Sequence, residues 1–309
     1  MDYSKIISFI YYGQGEISSF IQADIDILSK DFKLDIINYN SIKDIPKLVL
    51  SILKSDISYS WFAGGHAALA VLFSRLFRKK SIVVLGGYEV ANLPEIGYGA
   101  CLSRKSAILA KFALKYANRV FAVDESLKRE ALQNYRLTGE NIIIIPTCYD
   151  SEYFKPDDKP KENIVLTVSP KSAYARKGIP LLIKAAKNMP NVKFYIVGKG
   201  DENSSGNVIF TGYVSKRLLL KYYQKAKVYC QLSLHEGLPN ALCEAMLCEC
   251  IPVGSLANGI PTAIGDTGFY GITKLEEALN SSKDKGRQAR QRIINLFSER
   301  DLKSEILRI

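Results

Sequence analysis

The sequence predicts an α/β chain of two doubly wound, Rossmann-like domains facing a cleft. Three observations carry that expectation. Short β-branched runs alternate with segments of helical apolar spacing, the alternation restarts after a polar, Pro-bearing stretch, and 309 residues suit two domains better than one.

In the first half, strand-like runs fall at Ile6–Tyr11, Leu34–Ile37, Ile57–Phe62, Ser81–Leu85, Arg119–Val123 and Asn141–Ile145. Helical spacing is read at Glu16–Lys30, His66–Phe77 and Lys105–Tyr116. Continuous apolar strands separated by helices imply a parallel sheet covered on both faces. The stretch Phe154–Lys161, with Pro156 and Pro160, reads as a linker. Strands then recur at Ile164–Val168, Val192–Val197, Val208–Phe210, Val228–Leu232 and Ile251–Val253. Helices are expected at Ile179–Lys187, Lys216–Lys225, Ala241–Leu247 and Leu275–Asn280. The resulting division is 1–155, 156–297 and a C-terminal helix at 298–309 that could pack back on the first domain.

Composition narrows the function classes. With 47% hydrophobic residues the chain can fill two cores, so disorder is excluded. No apolar run approaches the roughly 18 residues that a membrane span needs. The start, MDYSKIISFIYYGQGE, lacks the apolar core and small-residue cleavage site of a signal peptide, which predicts a cytoplasmic chain. Six cysteines in this length make no disulfide framework. Cys243, Cys248 and Cys250 cluster without a fourth ligand at metal spacing and read as buried free thiols. The net charge of +11 suits anionic partners: phosphorylated small molecules, membrane surfaces or nucleic acid.

Four motifs bear on chemistry. Gly13 and Gly15 form a turn after the first strand, but Ser18 replaces the third glycine of a dinucleotide fingerprint and the second strand runs into Asn38 rather than an acid. A nicotinamide cofactor is therefore not expected; the turn would let a substrate approach the backbone. Asp24-Ile25-Asp26 matches a D-x-D pattern, yet on a helix the two carboxylates diverge, and a solvated face is the favoured reading. Arg176 and Lys177 follow a strand end, where an open sheet binds ligands, and together suit a diphosphate. Glu236 and Glu244 bracket Gly237-Leu238-Pro239-Asn240, with Pro239 fitting the first turn of a helix and Glu236 in the loop before it. Carboxylates accept hydrogen bonds from vicinal hydroxyls, so sugar and ribose are natural partners, and the helix's first amides favour a phosphate.

At these residues the chain resembles glycosyltransferase family 4, the retaining nucleotide-sugar transferases of GT-B fold. The carrying stretch is HEGLPNALCEAMLCECIPVGSLANGIP, residues 235–261, joined by Arg176-Lys177-Gly178, Ile196–Gly200, Phe210–Val214 and the junction at 142–156. Departures are Thr147-Cys148 at the junction, Cys250, Thr262, and Gly86-Gly87 followed by Tyr88-Glu89 in place of an N-terminal His-Gly pair. The resemblance implies sugar transfer from a nucleotide diphosphate with retention and without an obligatory metal or other cofactor. It gives Arg176 and Lys177 the leaving diphosphate, Glu236 the donor sugar's hydroxyls and Glu244 the ribose. Gly198, Tyr213 and Val214 fall on the donor side, the last two near the base; Gly13, Gly15, His66 and Glu89 are acceptor-side candidates.

The stretch from Ile96 to Val123 has five basic residues and no acidic one, with Ile108, Leu109, Phe112, Ala113 and Tyr116 interleaved. Two readings stay open: apolar residues packed on the sheet with cations in water, or contact with an anionic membrane at the inner face, which would favour a lipid-linked acceptor. The expected function is a retaining transferase acting on a glycan, glycolipid or protein-linked acceptor. The rivals are a degenerate sugar-nucleotide or glycan binder and a nucleic-acid binder; the last lacks any reader motif, and no nucleic-acid partner is expected.

Overall fold

The computed structural model describes residues 5–13, 17–157, 159–200 and 204–309. The chain divides into two compact units, one of residues 1–148 with 300–309, the other of 149–299.

The first unit runs β1 (Ile6–Tyr11), α1 (Ser19–Leu28), β2 (Lys33–Asn38), α2 (Ile45–Lys54), β3 (Ile57–Trp61) and α3 (Gly65–Leu76). It continues with β4 (Lys80–Leu85), α4 (Arg104–Tyr116), β5 (Arg119–Ala122), α5 (Glu125–Tyr135) and β6 (Ile142–Ile144). Among the described residues its six strands lie in the order β2-β1-β3-β4-β5-β6, every pair parallel. The interior strands β3 and β4 are buried nearly end to end, the burial of a sheet covered on both faces. A cluster of Ile10, Ile37, Leu48, Ile52 and Ala70 fills the space between sheet and helices. Each of the isoleucine and leucine side chains contributes roughly 1.5–3 kcal/mol on burial. Because β1 has β2 on one side and β3 on the other, strand order reverses between β1 and β3.

The second unit runs β7 (Glu162–Val168), α6 (Tyr174–Lys177), α7 (Ile179–Lys187), β8 (Lys193–Val197), β9 (Val208–Phe210) and α8 (Lys216–Lys225). Then come β10 (Ala226–Gln231), α9 (Asn240–Leu247), β11 (Ile251–Gly254), α10 (Gly259–Ile264), β12 (Phe269–Tyr270), α11 (Leu275–Asn280) and α12 (Lys283–Phe297). The order β12-β11-β10-β7-β8-β9 is again parallel throughout, with the reversal between β7 and β10. Its core centres on Val165, Leu182, Phe194, Ile196, Val228 and Val253.

Two expectations change here. The junction 149–155 belongs to the second unit: the Tyr149 amide donates to the Phe297 carbonyl (2.9 Å), and Arg290 donates to the carbonyls of Ser151 and Phe154. Asp24 is no solvated helix residue. It is buried on α1, where Tyr59 Oη (2.7 Å), Trp61 Nε1 (2.9 Å) and Arg300 Nη1 (2.6 Å) all donate to its carboxylate. Arg300 opens the last segment, whose helix α13 (Leu302–Leu307) packs against α1. Burial pushes the Asp24 carboxyl up and Arg300 pulls it back, so each charge is tolerable inside only because the other is there. The cysteines are free, and Cys243, Cys248 and Cys250 are buried.

Candidate functional site

In the second unit the strands that flank the reversal, β7 and β10, each release a loop at their C-terminal ends. An open parallel sheet leaves a crevice at that point. After β7 the chain turns through Lys171–Ala173 into α6, a single turn whose end carries Arg176 and Lys177. After β10 the chain passes Ser233 and His235 to Glu236. The two loops are stitched together: the Leu234 amide donates to the Arg176 carbonyl (2.8 Å), and Arg176 Nη1 donates to the His235 carbonyl (2.9 Å).

Four side chains converge on Glu236 Oε1. They are Lys177 Nζ at 2.6 Å, Ser233 Oγ at 2.8 Å, Arg176 Nη1 at 2.9 Å and Gln231 Nε2 at 3.1 Å. Burial alone would raise the Glu236 pKa, but Lys177 and Arg176 outweigh it and hold the carboxyl below its ordinary value. The cluster is therefore an ionised carboxylate facing two cations, with one positive charge in excess. That excess is what a phosphate would meet.

Gln231 and Ser233 carry no label in the motif reading, although a signal existed. They are polar residues two apart at the end of an apolar strand, hence on one face of it.

Beyond Glu236, its amide donates to Asn258 Oδ1 (3.3 Å) and the Gly259 amide donates to the Gly237 carbonyl (3.2 Å), which ties the Gly237-Leu238 turn to the start of α10. Leu238 is buried. Pro239 stands at the N-cap rather than in the first turn, and Asn240 opens α9 with its side-chain oxygen accepting from Tyr149 Oη. Glu244 lies on α9, buried, with Tyr223 Oη donating to it at 3.0 Å. The two glutamates thus sit in different settings, one among cations and one over a buried tyrosine. Tyr229 lies in the field of both; its hydroxyl donates to Gln231 Oε1 (3.3 Å), so it supports the residue that supports Glu236.

The rim of this site comes from β8 and β9. Gly198 follows β8 with φ of +152°, and a Cβ there would come within 2.3 Å of the Ser169 carbonyl oxygen, so only glycine lets these loops touch. Its amide donates to the Gly212 carbonyl (3.0 Å). Tyr213 next to it is exposed and Val214 half-buried.

The acceptor-side candidates lie in the first unit. His66 and Glu89 line one cavity there, and Gly13 follows Tyr12, which also lines it. Nothing among the described residues crowds Gly13, whose added Cβ would meet only the Tyr11 ring at 3.9 Å. Gly15 lies outside the described residues. Glu89 has both carboxylate oxygens committed to backbone amides: Oε1 accepts from Ala63 (3.0 Å) and Gly86 (3.2 Å), Oε2 from Gly87 (2.8 Å). Burial pushes its carboxyl up, against those amides. Gly86 has a physical account: a Cβ there would come within 2.4 Å of the Phe62 ring, so any side chain is displaced by an aromatic from the loop after the neighbouring strand β3.

Residues 150–284 match the family described as Glycosyl transferases group 1. The fold of the whole is GT-B. Anabaena HepE, solved in complex with UDP-glucose, superposes with a TM-score of 0.76 at 15% identity, covering 95% of each chain. Sucrose-phosphate synthase from Thermosynechococcus elongatus gives a TM-score of 0.72 at 16% identity, again over 95% of each chain. In sequence, the gpi3 subunit of phosphatidylinositol N-acetylglucosaminyltransferase from Schizosaccharomyces pombe is 24% identical over 172 residues. That match spans 50% of this chain and 38% of the subunit.

Proposed function

We propose that this glycosyltransferase moves a sugar, with retention, from a UDP- or GDP-sugar to a glycan, glycolipid or protein-linked acceptor, as family 4 members do. The observation that carries the reading is the convergence of Arg176 and Lys177 on Glu236 at the strand-order reversal of the second unit. A diphosphate entering there takes the two cations as partners and releases the Glu236 carboxylate to accept from the sugar's hydroxyls. Glu244 serves the ribose, and Tyr213 and Val214 border the base. In the transfer the bond from the anomeric carbon to the phosphate oxygen breaks and that carbon bonds the acceptor oxygen. The hydroxyl's proton goes to the departing phosphate. Arg176 and Lys177 meet the charge that grows on the diphosphate, so no metal or other cofactor is called for. HepE, which holds UDP-glucose on the same fold, supports a donor of this kind.

Removing a preorganised donor from a developing anion costs about 10²-fold in kcat, so Arg176→Ala should slow transfer by that order while the sugar is still recognised. Proton NMR of the product gives the second check. Inversion at the anomeric carbon contradicts the reading.

One observation favours a second reading, a binder of sugar nucleotide without transfer. The Phe62 ring occupies the space that any side chain at Gly86 would need, at the position where the family's His-Gly pair is replaced by Gly86-Gly87. Saturable donor binding with no nucleotide release, with extract and membranes supplied as acceptor, would establish it.

A peripheral contact with anionic membrane forms part of the proposal. Leu72 and Leu76 on α3 and Ile108 on α4 are exposed beside Arg75, Lys105 and Lys111, and α3 packs against α4. Such a face suits an anionic lipid surface. Co-sedimentation with phosphatidylserine vesicles but not phosphatidylcholine vesicles is expected, and equal recovery with both removes it.

A further inference from the structure

In the first unit the strand order reverses between β1 and β3, and a cavity of about 420 Å3 lies at the ends of these strands. Its walls are aromatic. Tyr12 follows β1, Tyr39 follows β2, Phe62 follows β3 and Tyr88 follows β4. Tyr12 and Tyr88 are about half exposed (52% and 51%), which leaves ring surface open to a ligand. Among the described residues that line it there is no lysine or arginine.

Phe62 sits at φ of +68°, a left-handed backbone that a bulky residue rarely adopts. Backbone strain of that kind persists where the surroundings enforce it, often beside a ligand site. Here it turns an aromatic ring into the cavity wall and over Gly86.

His66 supplies a polar anchor of defined hydrogen-bonding sense. Its Nε2 lies 2.8 Å from the Trp61 carbonyl oxygen, which has no proton to give, so Nε2 carries the hydrogen. Burial holds the ring's pKa below its ordinary value, leaving it neutral at pH 7 with a lone pair on Nδ1. Tyr12 stacks on this ring (centroids 6.2 Å, planes 19° apart) and Tyr39 leans on it at 6.0 Å. The Nδ1 edge faces Gly64, a cavity residue where even a methyl group would come within 3.2 Å. Among the described residues no donor reaches Nδ1.

We propose that this cavity is the acceptor site and takes an uncharged sugar ring, its C–H face on the tyrosine rings and one hydroxyl donating to His66 Nδ1. The inference rests on the transferase reading above and adds the substrate class to it. A pyranose has apolar faces and a rim of hydroxyls, which matches electron-rich ring faces around one acceptor nitrogen. A phosphorylated ring would bring its charge into aromatic walls without a cation to pair it. An alkyl chain would cover Nδ1 and leave it unsatisfied.

Saturation-transfer NMR on the full chain tests this with octyl β-glucopyranoside, octyl N-acetyl-β-glucosaminide and their 6-phosphates, below micelle concentration. Saturation should fall on the pyranose protons, with the 6-phosphates binding about tenfold more weakly. Gly65→Leu puts a side chain at the cavity lining, where its Cβ meets only the flexible Leu109 side chain, at 3.7 Å. It and Tyr88→Ala should each weaken glycoside binding about tenfold, and His66→Ala about fivefold. Nucleotide-sugar affinity, read by calorimetry, should stay unchanged in all three. No glycoside binding by the native chain, saturation on the octyl protons, equal binding of the 6-phosphates, or binding retained in Gly65→Leu would each overturn the inference. If nucleotide sugars bind normally in that case, the acceptor assignment alone has failed. If the native chain binds none of them, the transferase reading fails and this inference falls with it.

Discussion

Glu236 gathers two cations and two neutral donors on one oxygen atom. Its pKa is depressed, so the stabilisation that it gains from Lys177 and Arg176 is full above the ordinary glutamate value of about 4.3 and is lost as pH falls through the lower folded-state value. Glu236→Gln should cost about 1–3 kcal/mol at pH 7, because two cations would then share a neutral amide. The gap between the two proteins in urea midpoint should close as the pH is lowered towards 3; a gap that widens contradicts the account. The Glu-x7-Glu spacing and the Gly-Leu-Pro turn made this residue legible in the sequence. Its helpers were harder to see, since Gln231 and Ser233 matter only once β10 delivers them to the same face as Glu236. Gly86 shows the opposite limit. The departure from His-Gly was visible, but its cause, Phe62, lies on another strand's loop. Gly86→Ala should destabilise by about 1–3 kcal/mol, and adding Phe62→Ala should recover part of that loss. Additive losses in that thermodynamic cycle would remove Phe62 as the reason.

Among the elements, α1 and the last segment depend on one buried ion pair. Arg300→Met leaves the Asp24 carboxylate with Tyr59 and Trp61 but no counter-charge, which should cost about 3–5 kcal/mol. The double variant Asp24→Leu with Arg300→Met should be the more stable of the two. Denaturant unfolding decides it, and equal stabilities would mean that the pair is not coupled. A sequence reading based on helix-face geometry assigned Asp24 to solvent because its partner is 276 residues away along the chain. Helix α12 was missed for a different reason. Its charged composition, KDKGRQARQRIINLF, masks the spacing of Gly286, Ala289, Ile293 and Phe297, the residues that it buries. The expected bounds of β1 to β11 agree with the structure to within two residues at either end because continuous β-branched runs have few other uses in a chain of this kind, whereas the two-residue edge strand β12 is too short to leave such a run.

Over the whole molecule, parallel order and the reversal of strand order in each unit fix where ligands can meet the sheets. The convergence of Arg176 and Lys177 on Glu236 in the second unit is legible beforehand because these residues lie in two compact motifs. In the first unit's cavity the resemblance pointed to His66 and Glu89, but the aromatic walls are not legible, since Tyr12, Tyr39, Phe62 and Tyr88 come from the ends of four strands and share no motif. The cysteines give a chain-wide check on packing. Cys230, Cys243, Cys248 and Cys250 are buried, and burial raises their thiol pKa values, so they stay protonated and shielded at pH 8. Only Cys101 and Cys148 are partly exposed, so only they should react with a thiol reagent before unfolding, Cys148 slowly because burial raises its thiol pKa too; rapid labelling of more than these two contradicts the packing. The central claim, a nucleotide-sugar transferase, is tested most directly by nucleotide release from a panel of UDP- and GDP-sugars with a sugar acceptor present. Release from one donor, reduced about 10²-fold or more in both Glu236→Gln and Arg176→Ala, is the predicted result. Equal release by the native protein and both variants, or no binding of any nucleotide sugar, would contradict it.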